Sequence, residues 1–175
     1  MQAIHLNLAA RPLIAEAWKP YGWLPVSDTD PADGRHTLHF DWNDPHVNLI
    51  HHSADEVVRD GEGIICDRLF RHLTHTQALL VIDVEAVMVV APPEASFSVP
   101  EDLRQLEAFA LRPHDAFVLH EGTWHWGPFP IGASRVNLYN VQGRRYIEDN
   151  QCQLLTDLGV VLCSAATTPK FGEIN

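Results

Sequence analysis

Short apolar segments recur along this chain, and almost none lasts long enough to make a helix. Val47–His51, Ile64–Leu69, Gln77–Ile82, Ala86–Val90, Ala116–His120 and Arg135–Val141 read as strands bounded by turn-forming residues. His36, Leu38, Phe40 and Trp42 alternate with Thr37, His39 and Asp41, which predicts a further strand. That makes about eight strands with turn signals between them. Helical spacing appears at residues 12–19, where Leu13, Ile14, Ala17 and Trp18 form a stripe that Pro20 ends. Leu103–Phe109 reads as one helical turn or an edge strand, Asn150–Leu158 as a short terminal helix, and Ser164–Asn175 as a loose tail. Strands do not alternate with long helices. The pattern therefore favours a sandwich or barrel over a doubly wound sheet.

The length of 175 residues suits one domain. A formal net charge of −11 argues against a nucleic-acid or anionic-membrane partner, because either requires a basic face. The apolar runs Ala78–Ile82 and Ala86–Ala91 are too short to span a bilayer. Cys66, Cys152 and Cys163 are widely spaced and odd in number, which argues against a disulfide framework or a cysteine zinc cluster. The opening MQAIHLNLAARPLI lacks the basic region and continuous apolar stretch of a signal peptide, so a reducing, cytoplasmic location is expected.

Eleven histidines and five tryptophans mark the chain as one with polar, aromatic chemistry to place. The densest clusters are Phe70–Ala78 and Pro113–Trp126. His72 and Gln77 lie five residues apart, and a tight corner at Thr74–Thr76 would turn both the same way. His120 and His125 are also five apart, around Glu121-Gly122, where glycine permits a turn. Four such groups converging from two hairpins suit either a metal site or a carboxylate-handling pocket. Imidazole serves both ligation and proton transfer near neutral pH. His51-His52 and the pair His36 and His39 are poor ligand partners, because each pair faces opposite sides of a regular strand. Trp124 and Trp126 alternate, so at least one is expected to fill the core.

Four segments carry a family resemblance. RHLTHTQA at 71–78, LEAF at 106–109, HEGTWH at 120–125 and AWKPYG at 17–22 resemble, in order, motifs of the ureidoglycolate lyase (ureidoglycolate hydrolase) family. The matches span roughly residues 13–145. The resemblance implies an all-β, cupin-type double-stranded β-helix (jelly roll) with a short N-terminal helix and small helical additions. It also implies a single domain over 1–175, with its core at about 13–145 and a C-terminal extension at 146–175. It further implies a homodimer and a carbon–nitrogen lyase of allantoin and purine breakdown that splits ureidoglycolate to glyoxylate and urea. His72 and Gln77 occupy the places of a cupin histidine and its ligand carboxylate, and His125 that of the second-motif histidine. A divalent metal (nickel, manganese or zinc) on His72, Gln77 and His125 is implied, with no organic cofactor.

Lysis of this carbinolamide needs a hold on its carboxylate, a base for its hydroxyl and a proton for departing urea. The expected roles are Arg71 on the carboxylate, His72, His120 and His125 in proton transfer, Gln77 on the ureido group, and Trp124 as a pocket wall. Two other readings stay open: a different metal-dependent cupin enzyme on a small carboxylic acid, and a non-catalytic cupin that binds one. Gln77 in place of a ligand carboxylate, and Trp126 where the family has a second histidine, favour the binding reading.

Overall fold

The run AVMVVA is buried at every position, so it must be covered on both faces, and the architecture follows from that. The computed structural model describes residues 4–164. In chain order the strands begin as β1 (Ile4–Ala9), β2 (Arg11–Pro12), β3 (Gly22–Trp23), β4 (Pro45–Ser53) and β5 (Arg59–Asp60). They continue as β6 (Gly63–Cys66), β7 (Arg68–Arg71), β8 (Gln77–Val81), β9 (Ala86–Ala91) and β10 (Glu107–Leu111). The last five are β11 (Ala116–Leu119), β12 (Trp124–Pro130), β13 (Arg135–Gly143), β14 (Gln151–Leu154) and β15 (Gly159–Ser164). Helices α1 (Ala15–Trp18) and α2 (Tyr146–Asp149) are single turns, and 3-10 turns cover Ala54–Glu56 and Pro100–Gln105.

These strands make three sheets, ordered β1-β15-β6-β5, β14-β7-β12-β9-β10-β2 and β3-β11-β8-β13-β4. The six-stranded sheet is the middle layer. Val87, Val89 and Ala91 of β9 join Ile64, Cys66, Val161 and Cys163 in an outer core against the four-stranded sheet. Ala86, Met88 and Val90 point the other way, into an inner core with Leu79, Val81, Phe117 and Leu138 of the five-stranded sheet. The period of two along β9 thus builds both cores from one strand. The fold is all-β, as the strand pattern predicts, and cupin-like, as the family resemblance implies. Among the described residues no helix is long and apolar enough to cross a membrane.

The structure corrects several local expectations. The helix expected over 12–19 shrinks to α1, because Arg11–Pro12 pair in parallel with β10 as an edge strand. The strand expected over 36–42 does not form. Leu38 stays 40% exposed, and the segment is a loop tied down by one bridge, Phe40 to His75, and by backbone bonds to Thr74 and Thr76. The helix expected at 150–158 is β14, which pairs antiparallel with the edge of β7; the helical turn lies just before it, in α2. Leu103–Phe109 divides into the end of a 3-10 turn and β10, which sits between β9 and β2. β1 and β15 lie outside the expected 13–145 core, yet they pair in parallel and pack Val161 and Cys163 into the outer cluster. Ser164 ends β15, and the rest of the expected loose tail lies outside the described residues. Cys66, Cys152 and Cys163 are all free thiols.

Trp18 anchors the inner core. It is fully buried edge-on to Phe109 and Phe117, at centroid distances of 5.0 and 5.1 Å. Its indole N–H donates to the Val118 carbonyl at 3.0 Å. Trp18→Ala therefore removes both a large core volume and a buried hydrogen bond. We expect a loss of about 3–5 kcal/mol in urea denaturation, and a loss below about 1 kcal/mol would contradict this role.

Candidate functional site

Toward one end of the inner interlayer the buried side chains change from apolar to polar. Along β13 the inward positions run Val136, Leu138, Asn140, Gln142; along β4 they run His52, Ile50, Asn48, His46 in antiparallel register. Gln77 opens the inward row of β8, ahead of Leu79 and Val81. Phe70 and His125, directly paired between β7 and β12, face them from the middle sheet. Of these, Asn48, Ile50, His52, Phe70, Gln77, Leu79, His125 and Gln142 line a cavity of about 740 Å³.

One wall is a chain of amides. Asn140 Nδ2 donates to Asn48 Oδ1 at 2.7 Å, and Gln77 Nε2 donates to Asn140 Oδ1 at 2.9 Å and to Gln142 Oε1 at 3.4 Å. The chain ends on Gln77 Oε1, a buried acceptor without a protein partner. Buried acceptors of this kind are costly to leave unpaired, at about 1–3 kcal/mol each. A ligand N–H entering the cavity finds a site prepared for it.

The opposite wall is imidazole. The rings of His72 and His125 lie 5.6 Å apart, and His75 stacks on His72 at 4.7 Å. Burial, with His125 and His75 adding like charge, pushes the His72 pKa down to about 3. Burial likewise pushes His125 to about 4, against the effect of its Nδ1 contact with the Thr123 carbonyl at 3.0 Å. His75 is lowered too, chiefly by burial. These rings are therefore neutral at pH 7, the form that ligates metals and accepts protons.

Asp149, on α2, meets His75. Thr74 donates to Asp149 Oδ2 twice, from its backbone N–H at 2.9 Å and its hydroxyl at 2.8 Å. Burial raises the Asp149 pKa, but the Thr74 bonds outweigh it and hold the carboxylate ionised. His75 Nδ1 lies 3.4 Å from the same oxygen. Two buried nitrogens, His72 Nδ1 and His75 Nε2, have no protein partner. Two orphaned imidazole nitrogens beside a carboxylate fit the donor set of a divalent transition metal.

The sequence-predicted residues divide between the two faces of the middle sheet. His72, Gln77 and His125 meet at the cavity. Arg71 and Trp124 do not, because each is the chain neighbour of an inward histidine and a strand turns neighbours to opposite sides. They meet on the far face, where the Arg71 guanidinium lies 4.1 Å over the Trp124 ring and donates to Gln151 Oε1 at 2.9 Å. Trp124 and Trp126 both fill the outer core. The turn at Glu121-Gly122 exists, with Gly122 at φ +78°, but it carries the chain from one sheet to another. His120 is left beside Trp23, 5.4 Å between rings, away from His125. His51 of the His51-His52 pair is exposed and His52 half-buried, as opposite strand faces require.

Residue spacing missed His75, Asp149, Asn48, Asn140 and Gln142. The alternation of β13 was a usable signal for Asn140 and Gln142, since both share the parity of Leu138. Nothing local could have paired His75 with Asp149, 74 residues on.

The sequence model of the ureidoglycolate lyase family matches residues 37–160, more than half of the chain. The chain belongs to the ureidoglycolate lyase family. That family lies within the cupin superfamily, in keeping with the all-β layers. It is an enzyme family acting on a small molecule. No curated protein matches the chain. Matching solved structures include vicilin from hazelnut (Corylus avellana), 15% identical, with a TM-score of 0.36 over 62% of this chain and 31% of the vicilin chain. Peruvianin-I, a cysteine peptidase from Thevetia peruviana latex, is 12% identical, with a TM-score of 0.36 over 76% of this chain and 85% of its own. Superpositions at that level do not identify a shared fold, and the family assignment rests on the sequence match.

The lowered histidines also set a pH response. An unfolded histidine titrates near 6.5, whereas folded His72 and His125 titrate at about 3 and about 4. Between those values the unfolded chain binds more protons, so stability is full above pH 6.5 and falls as pH drops below it. We expect denaturant midpoints to decline from pH 7 to pH 4.5, and His72→Gln to flatten that decline. An equal slope in the variant would show that His72 is not desolvated.

Proposed function

We propose that this protein cleaves ureidoglycolate to glyoxylate and urea, as a step of allantoin and purine breakdown in the cytoplasm. The observation that carries this reading is the amide wall ending on the open Gln77 Oε1, set across the cavity from neutral His72 and His125. A ureido group presents N–H donors, which is what an unpaired buried carbonyl oxygen selects.

In this reading Gln77 accepts a ureido N–H and fixes the leaving group. His125 takes the proton of the carbinol hydroxyl as the C=O of glyoxylate forms. The C–N bond breaks with its electron pair passing to nitrogen. The imidazolium then returns its proton to that nitrogen, and urea departs. A histidine with a pKa near 4 is wholly neutral beforehand and strongly acidic once protonated, which suits the return step. When bound, a divalent ion would offset the substrate carboxylate and polarise the hydroxyl. Arg71 faces away from the cavity, so it takes no part in this scheme. A homodimer belongs to the same reading, supported by the apolar outer face on which Val47, Leu49 and Tyr139 are 55%, 68% and 46% exposed.

Glyoxylate release from ureidoglycolate tests the function. We expect turnover above the spontaneous rate, with His125→Ala and Gln77→Leu each lowering kcat/KM by about 10²-fold or more. Folded variants with full activity would exclude these roles. Binding of glyoxylate without any turnover would favour a carboxylate-binding protein instead. Light scattering checks the dimer: we expect wild type at twice the chain mass and Leu49→Glu shifted toward monomer.

A further inference from the structure

The family resemblance implies His72, Gln77 and His125 as metal ligands. The structure offers a different set. One ligand atom from each of His72, His75 and Asp149 lies within 4.8 Å of one from each of the others. We propose that His72, His75 and Asp149 hold a divalent first-row transition ion at the cavity edge, which leaves Gln77 and His125 free for substrate. This inference rests on the lyase reading only for the ion's role, not for its binding.

Three observations point to this set. The first is chemical. Two imidazoles and a carboxylate form a strong mixed donor set for zinc, nickel or cobalt, whereas Gln77 offers only the oxygen of a neutral amide. The second is the pair of unpartnered nitrogens. His72 is 8% exposed and His75 2%, and each keeps a buried ring nitrogen with no protein partner. Each ring therefore keeps a nitrogen open to a cation.

The third is how much structure holds these side chains in place. Thr74 clamps Asp149 through two hydrogen bonds. The Phe40 ring lies parallel to His75, at 6.2 Å. His75 also packs against the backbone of Gly143, where an added Cβ would lie 2.9 Å from His75 Nδ1. Three separate segments thus hold the ligand side chains in place, an arrangement that supports metal geometry.

The site also answers an electrostatic need. The basic side chain lining the cavity is Arg68, and its guanidinium is paired with Asp67 at 3.0 and 2.7 Å. With Arg71 turned to the far face, a carboxylate substrate lacks a fixed counter-charge among the described residues. An ion on His72, His75 and Asp149 supplies one through His72, which lines the cavity.

The test is direct metal binding. Protein stripped with chelator is titrated with cobalt(II), then zinc(II) and nickel(II), and read by visible absorption, bound-metal analysis and thermal shift. We expect stoichiometric uptake and a raised Tm in wild type and in Gln77→Leu. Asp149→Asn, nearly isosteric and checked for fold by circular dichroism, should weaken binding by more than about tenfold, and His75→Ala should do the same. Absence of uptake by wild type overturns the proposal. So does wild-type affinity in both Asp149→Asn and His75→Ala, or loss of uptake in Gln77→Leu. Uptake without glyoxylate release would remove the lyase reading and keep this site; release by protein that takes up no metal would do the reverse.

Discussion

A strand that buries both faces cannot sit at the outside of a fold, and β9 imposes that condition on everything around it. Its Val87, Val89 and Ala91 face require one sheet, and its Ala86, Met88 and Val90 face require another. The six-stranded sheet is therefore central, and the two cores on either side differ in character. The outer core is closed by tryptophans, thiols and leucines. The inner core is apolar around Trp18 and gives way to amides and imidazoles at one end. The cavity is the part of the inner layer that apolar packing does not fill.

The strict alternation of strands decides which residues enter that cavity. Arg71 and His72 are neighbours, as are Trp124 and His125, and each pair is divided between the two faces of the middle sheet. The division places a cation–π pair on one side and a pair of neutral histidines on the other. A single-residue shift of register in β7 or β12 would exchange the two sets and bury a guanidinium where the imidazoles now lie. The outer core, with Leu69 and both tryptophans fixed in it, prevents that shift.

The cavity's electrostatics follow from burial more than from specific pairing. Desolvation keeps His72, His75 and His125 neutral, while hydrogen bonds from Thr74 keep Asp149 ionised. Neutral bases, one retained carboxylate and an amide chain ending on an open oxygen are what the inner layer gathers at that end. The same burial makes the site sensitive to acid, since protonation must be accommodated without water.

The sequence by itself determined the layer class and the parity of its strands. Apolar runs of strand length such as Ala86–Ala91, and the alternation of Val136, Leu138 and Asn140, are local properties that packing only has to accept. It also brought His72, Gln77 and His125 forward as one group. It misread residues 36–42, where Leu38, Phe40 and Trp42 share a face but one bridge is the only pairing formed among the described residues, and 150–158, where an open edge of β7 recruited a strand. Tertiary structure alone decided that His120 faces Trp23, that Arg71 rests on Trp124, and that Asp149 reaches His75 across 74 residues. Those outcomes depend on which sheets the chain's turns connect and how the layers stack, and no spacing along the chain encodes a distance between layers.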